Sequence, residues 1–133
     1  MHWLATRIEH LLAIAVPEGL GASEGGRERR RAFLDAVHEL VDEVAARDGV
    51  TAAFASYEGL VVAAAGAAEF EALAAMAQSA MEPARHTAGV AELGALRQLV
   101  LVGERSKLAL LRVGPVTVGL LCPSGVHLAE ATA

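Results

Sequence analysis

Residues 49–66 read GVTAAFASYEGLVVAAAG, and this stretch decides how the rest of the chain is interpreted. Two apolar runs, at residues 50–57 and 60–65, are separated by Glu58 and Gly59. Two such runs joined by two residues, one of them a glycine that accepts positive φ, indicate a β-hairpin with a tight turn. Gly49 suits the left-handed position that ends a helix. The stretch therefore predicts a helix end followed by two antiparallel strands.

Helical periodicity flanks this hairpin on both sides. Residues 27–47 carry an apolar stripe at steps of three and four, and residues 67–87 form a second, alanine-rich helix. Strands follow at 96–102, 107–113 and 116–122, with turns at 103–105 and 114–115, and the tail 124–133 forms at most a short helix. This order predicts an α+β fold, in which helices sandwich a five-stranded antiparallel sheet of order 2-1-5-4-3.

An additional helix precedes this core. Apolar residues recur at helical spacing until Pro17 ends the pattern, and residues 17–26 include four glycines. The apolar positions are Leu4, Ile8, Leu11, Leu12 and Ala15. We therefore expect residues 1–26 to form an N-terminal amphipathic helix and a Gly-rich linker, and residues 27–133 to form one domain.

Composition and charge exclude several classes of function. The net charge is −5, and nucleic-acid binding depends on Lys and Arg, so nucleic acid is not an expected partner. The single cysteine, Cys122, allows no intramolecular disulfide, which fits a reducing compartment. Apolar stretches such as residues 60–68 are shorter than the ~20 residues of a membrane-spanning helix. We expect a cytoplasmic protein that does not insert into membranes.

The sequence contains no convincing catalytic or ligand-binding motif. The five histidines lie in different predicted elements, and His38 and Asp42, four residues apart on a helix, form a surface pair more readily than a metal site. No serine lies in a G-x-S-x-G motif, and the glycines do not match a phosphate-binding loop. Cys122 fits a small core residue better than a nucleophile. We expect no catalytic residue, no metal and no cofactor.

A basic cluster opens the helix at residues 27–47. Arg27, Arg29, Arg30 and Arg31 lie in its first turns, where positive charge slightly opposes the helix dipole. They are either a solvated helix start or a docking site for an acidic partner. On the second interpretation Arg27, Arg30 and Arg31 are the candidate docking residues.

The combined spacing of these parts resembles the roadblock/dynein light chain family, in its bacterial type, similar to gliding-polarity GTPase regulators. The resemblance covers about residues 31–122, with Glu58 where the family usually has Asp and with at most a stub of the family's C-terminal helix. We hypothesise that the N-terminal helix covers the surface which that C-terminal helix would cover. The matching segments are Gly49-Val50, residues 53–56 (AFAS), 58–63 (EGLVVA), Gly66, 73–76 (LAAM) and 110–114 (LLRVG).

The resemblance implies a homodimer in which third strands and the helices after the hairpin meet. It also implies a small Ras-like GTPase as partner, activated by this protein or assembled on it, and no catalytic residue in this chain. The implied dimer contacts are Ala74, Ala77, Met81, Leu96, Gln98 and Val100.

Two alternative functions stay open. One is a small-molecule sensor of the PAS, GAF or profilin-like kind, which needs an internal cavity. The other is a structural subunit of a larger complex.

Overall fold

The structure, a computed structural model, describes residues 2–15 and 24–126 and contains three helices and five strands in these ranges. Their order agrees with the prediction. The helices are α1 (His2–Ala15), α2 (Glu24–Ala45) and α3 (Phe70–Val90), and the strands are β1 (Ala52–Tyr57), β2 (Leu60–Gly66), β3 (Gln98–Val102), β4 (Ser106–Val113) and β5 (Val116–Pro123).

The five strands form one antiparallel sheet in the order β2-β1-β5-β4-β3, which confirms the predicted fold class and strand order. Glu58 and Gly59 both have positive φ, 51° and 88°, as a two-residue hairpin turn requires. Glu58 accepts this conformation while its backbone N–H donates to the Pro115 carbonyl at 2.9 Å. The turn between β1 and β2 is thereby tied to the turn between β4 and β5.

Helices cover both faces of the sheet. On one face α1 and α2 pack over a core that includes Phe33, Leu40 and Leu120. On the other face α3 packs over a smaller core built around Phe54, Met81 and Leu110. The side chains of β1 therefore alternate between two buried environments, which explains why this strand has no polar face.

Several element boundaries differ from the prediction by two or three residues. Helix α2 begins at Glu24, so Gly25 and Gly26, which were predicted as linker, are helical. The N–H groups of a first helical turn have no intrahelical partner, so sequence periodicity defines this end poorly. Helix α3 begins at Phe70 instead of residue 67, after the positive φ of Gly66, and β3 begins at Gln98 instead of residue 96. The predicted linker residues 17–23 and tail residues 127–133 lie outside the described residues.

The N-terminal helix belongs to the core. The side chains of Leu4 and Ile8 are fully buried, and α1 packs along α2 and over β4. Two polar contacts hold it there: Arg7 pairs with Glu43 at 2.8 Å, and the guanidinium of Arg47 lies 4.0 Å above the ring of Trp3. Helix α1 covers apolar surface on this face of the sheet, and that the family's C-terminal helix would cover the same surface stays a prediction.

A close contact inside the sheet joins Phe54 of β1 to Gly119 of β5. These residues are register partners, and the Phe54 ring lies over the Gly119 backbone where a Cβ atom would stand. Phe54 itself is buried and contacts Phe70 of α3, with ring centroids 6.3 Å apart. A side chain at position 119 would have to displace this ring.

We expect Gly119→Ala to lower the free energy of unfolding by about 1–3 kcal/mol, because the added methyl overpacks the contact with Phe54. Gly89→Ala is the matched control. Nothing lies within 4 Å of a Cβ at Gly89, so this change in α3 should stabilise the chain by about 0.4–1 kcal/mol. Urea unfolding of both variants measures the difference, and equal stabilities would contradict the packing described.

We expect Ile8→Ala to lower the free energy of unfolding by about 2–5 kcal/mol, because it leaves a cavity between α1 and the rest of the core. His10→Ala, on the exposed side of the same helix, should change it by less than about 0.5 kcal/mol.

Deletion of residues 1–22, which removes α1, should lower the thermal midpoint, as Ile8→Ala does. An unchanged midpoint would show that α1 does not stabilise the sheet.

Candidate interaction surfaces

Strand β3 is an open edge of the sheet. Its register with β4 is regular from Gln98 to Val102, and the flanking hydrogen bonds run from Arg112 N–H to the Arg97 carbonyl and from Gly103 N–H to the Ser106 carbonyl. In an antiparallel pair these bonds recur at every second residue. The backbone N–H and C=O groups of Gln98, Val100 and Val102 therefore point away from β4, toward the open edge.

The opposite edge, β2, is less suited to pairing with another strand. The register between β1 and β2 shifts after Ala55, so that Val62 is an extra residue in β2. Such a bulge bends and twists an edge and interrupts its row of hydrogen-bonding groups. Strand β3 has no such interruption among its pairs with β4. Of the two edges, β3 is the one that offers a regular ladder.

Apolar side chains are exposed beside this edge. Leu101 is 44% exposed and Val102 is 69% exposed at the end of β3. Of the predicted dimer residues on this segment, Gln98 is exposed, Val100 is half-buried over the α2 face, and Leu96 is half-buried over the α3 face. The sequence interpretation missed Leu101 and Val102, although their apolar character beside a turn was a usable signal.

The other predicted dimer residues face the inside of the chain. Ala74, Ala77 and Met81 are at most 3% exposed and pack against the sheet. They pack between α3 and the sheet and have almost no exposed surface with which to contact a second copy. The outer side of α3 instead presents a shallow apolar groove, lined by Ala75, Met76, Ser79 and Ala80. That a second copy contacts α3 stays a prediction, but this outer side is where it would do so.

The predicted docking arginines line one groove on α2. Arg27, Arg30 and Arg31 are exposed and enclose a space of about 480 Å³. Leu34, Asp35 and His38 complete its lining. His38 does not bond to Asp42 as expected, because its Nδ1 lies 2.7 Å from the Leu34 carbonyl one turn earlier and donates to it. The groove combines cationic and apolar groups, which suits contact with an acidic protein surface.

A second basic site was not predicted. Arg85 and His86 of α3, Arg97 before β3, and Arg112 of β4 line a cleft of about 780 Å³. Glu82 supplies the one carboxylate among its described lining residues, and Gly94, Ala95, Leu96 and Gly114 complete the lining. These residues come from separate elements, so only the fold brings them together and no sequence spacing indicates the site.

Neither of the two arginine-lined sites contains an evident reaction centre. Cys122 is fully buried, and burial raises the pKa of its thiol, although the nearby Lys107 partly opposes this shift. A buried thiol with a raised pKa is a poor nucleophile, in agreement with its predicted role in the core.

Within residues 2–15 and 24–126, no group of three or more His, Cys, Asp or Glu side chains is arranged to hold a metal ion. None of the described helices has the length and apolar character needed to cross a membrane.

Comparison with known proteins places this geometry in a family. A family model described as the Roadblock/LC7 domain matches residues 36–121. No curated protein matches the sequence. Similar solved structures include the gliding protein MglB from Thermus thermophilus, at 19% identity and a TM-score of 0.63, covering 70% of this chain and 75% of that one.

Two further structures show the same fold. A Roadblock/LC7 domain from Streptomyces avermitilis is 20% identical with a TM-score of 0.62, covering 71% of this chain and 84% of that chain. A structure described as MglB with tetrameric arrangement is 18% identical with a TM-score of 0.67, covering 74% of this chain and 78% of that one. At these identities the similarity establishes a shared fold and no more.

Proposed function

The chain belongs to the Roadblock/LC7 domain family, and on that premise we propose that it is a non-catalytic homodimer that binds and regulates a small Ras-like GTPase in the cytoplasm. The observation that carries the proposal is the open edge of β3. This edge lies beside exposed apolar side chains. Helix α3, whose outer side carries the apolar groove, packs on one face of the same sheet. An isolated chain exposes these features to water, whereas a dimer can cover them.

Pairing of two β3 strands satisfies the open edge. With a twofold axis at Val100, Val100 of a second copy lies opposite Val100 of the first, and Gln98 of each copy lies opposite Val102 of the other. Antiparallel pairing then supplies partners for the outward N–H and C=O groups and joins two five-stranded sheets into one. Leu101 and Val102 gain apolar neighbours in this arrangement.

The outer side of α3 can support the same interface. Its groove is lined by Ala75, Met76, Ser79 and Ala80, and Met76 is 61% exposed. Small side chains let two helices approach closely, and the flexible methionine adapts to the opposing surface. The solved MglB structure with a tetrameric arrangement is consistent with self-association in this fold.

The GTPase part of the proposal rests on the family resemblance and on charge. Arg27, Arg30 and Arg31 present a basic groove with an apolar floor at Leu34. Interfaces of opposite charge speed association and select partners. A regulator of this kind needs only to bind and orient the GTPase, and the sequence has no nucleophile–base motif that would suggest chemistry of its own. Phosphate release distinguishes a regulator that activates hydrolysis from one that only assembles a complex.

We expect Gln98→Pro to weaken dimerisation by at least about tenfold, which corresponds to about 1.4 kcal/mol. Proline removes an N–H that points to the open edge, while the ladder with β4 keeps all its bonds. Gln98→Thr is the matched control, since it changes the side chain and retains the N–H. Sedimentation equilibrium measures both variants, and an equal dissociation constant for the two would exclude pairing through β3.

We expect a cognate small Ras-like GTPase to bind the dimer, and Arg27→Glu with Arg31→Glu to weaken that binding by about tenfold or more. Arg105→Glu, an exposed charge reversal in the β3–β4 turn, should change it by less than about twofold. Calorimetric titration with GTP-analogue and GDP forms measures affinity, and phosphate release measures activation. No binding of any such GTPase at high micromolar concentration would contradict the proposed partner.

A further inference from the structure

We infer that the cleft between the end of α3 and the β4–β5 turn, lined by Arg85, His86, Arg97 and Arg112, binds an acidic peptide segment of a protein partner. The site lies within one chain. Leu96 in its lining is also an implied dimer contact, but the peptide-binding test needs no GTPase, and sedimentation equilibrium measures dimerisation separately.

Positive charge in the cleft is largely uncompensated. Among the described residues, three guanidinium groups line it against the single carboxylate of Glu82. Glu82 lies 3.2 Å from Arg85, but both side chains are at least half exposed, and such surface pairs contribute little and exchange easily with other partners. In the described part of the chain, the Arg97 side chain has no hydrogen bond or ion pair.

Two hydrogen bonds place Arg112 beside the backbone of Arg97 and orient its side chain. The Arg112 N–H donates to the Arg97 carbonyl at 3.0 Å, and the Arg112 Nε donates to the Gly114 carbonyl at 3.1 Å. The second bond orients the Arg112 guanidinium and leaves its terminal NH₂ groups available. Guanidinium groups bind carboxylates through two parallel hydrogen bonds, and an already oriented group loses less entropy on binding.

Two groups of arginines lie near this end of the molecule. The chain as a whole carries −5, yet the arginines at the start of α2 and those of the cleft lie at the same end of the sheet, on opposite faces. The position of α2 follows from Phe33, which packs edge-on against Tyr57 with ring centroids 5.6 Å apart, beside the β4–β5 turn. The guanidinium groups of the cleft therefore attract an acidic segment, although the chain as a whole is acidic.

Size and lining select a peptide over other anions. At about 780 Å³ the cleft is within the range of sites for extended ligands, far larger than a single inorganic anion needs. No Phe, Tyr or Trp is among its described lining residues, so a nucleotide base would find no broad stacking surface. Several carboxylates along a flexible segment can reach arginines on α3, on β4 and before β3 together, which one compact anion cannot.

The test uses the full chain and fluorescein-labelled hexaglutamate, with hexaglutamine as the neutral control, followed by fluorescence anisotropy at about 50 and about 150 mM salt. We expect hexaglutamate alone to bind, more weakly at the higher salt. Unlabelled hexaglutamate should displace the probe at lower concentration than inorganic phosphate or hexathymidylate. Displacement by phosphate or by hexathymidylate at equal or lower concentration would overturn the inference, as would absence of binding at the lower salt.

Variants locate the binding. Arg85→Gln with Arg97→Gln should weaken hexaglutamate binding by at least about tenfold, because two of the three guanidiniums are removed. Arg105→Gln, at the opposite end of the sheet, removes one exposed charge outside the cleft and should change it by less than about twofold. Thermal midpoints equal to that of the parent show that the variants fold. Equal weakening by Arg105→Gln would indicate general charge attraction and would overturn the inference.

Discussion

The pairing of β5 with both β1 and β4 is the constraint on which the rest of the structure depends. This strand joins the first hairpin to the β3–β4 hairpin, and it can lie flat against β1 only because Gly119 leaves room for the ring of Phe54. Its central position fixes β2 and β3 as the two edges of the sheet. Helix α2 packs against β2, which also carries a bulge, so the regular open edge is left at β3.

The same constraint gathers charges that are distant in sequence. The β1–β2 and β4–β5 turns meet at one end of the sheet, where Glu58 N–H donates to the Pro115 carbonyl. Arg112 precedes the second of these turns, and Arg97 is its neighbour across the β3–β4 pair. Helix α3 brings Arg85 to the same place. Two arginine-lined sites thereby lie on opposite faces of the sheet of an acidic protein.

Most of the fold follows from local sequence signals, whereas the surfaces do not. The hairpin at Glu58 and Gly59 and the helical stripes were predictable because each depends on short-range periodicity and turn chemistry, and the strand order followed from the order of the elements, with a helix crossing between the second and third strands. Ala74, Ala77 and Met81 were implied as contacts between copies by the family resemblance. Because alanine occurs on every side of α3, apolar periodicity there does not identify the outward face. The cleft of Arg85, Arg97 and Arg112 had no sequence signal, since tertiary structure alone brings these residues together.

Pairing of β3 with β3 of a second copy is measured by amide hydrogen exchange, residue by residue, at high micromolar protein concentration. Leu99 and Leu101 direct their N–H groups to β4 and exchange slowly in either case. In a dimer paired through β3, the amides of Gln98, Val100 and Val102 exchange as slowly as these two, and faster on dilution. Rapid exchange at all three residues at high concentration, beside slow exchange at Leu99 and Leu101, would contradict it.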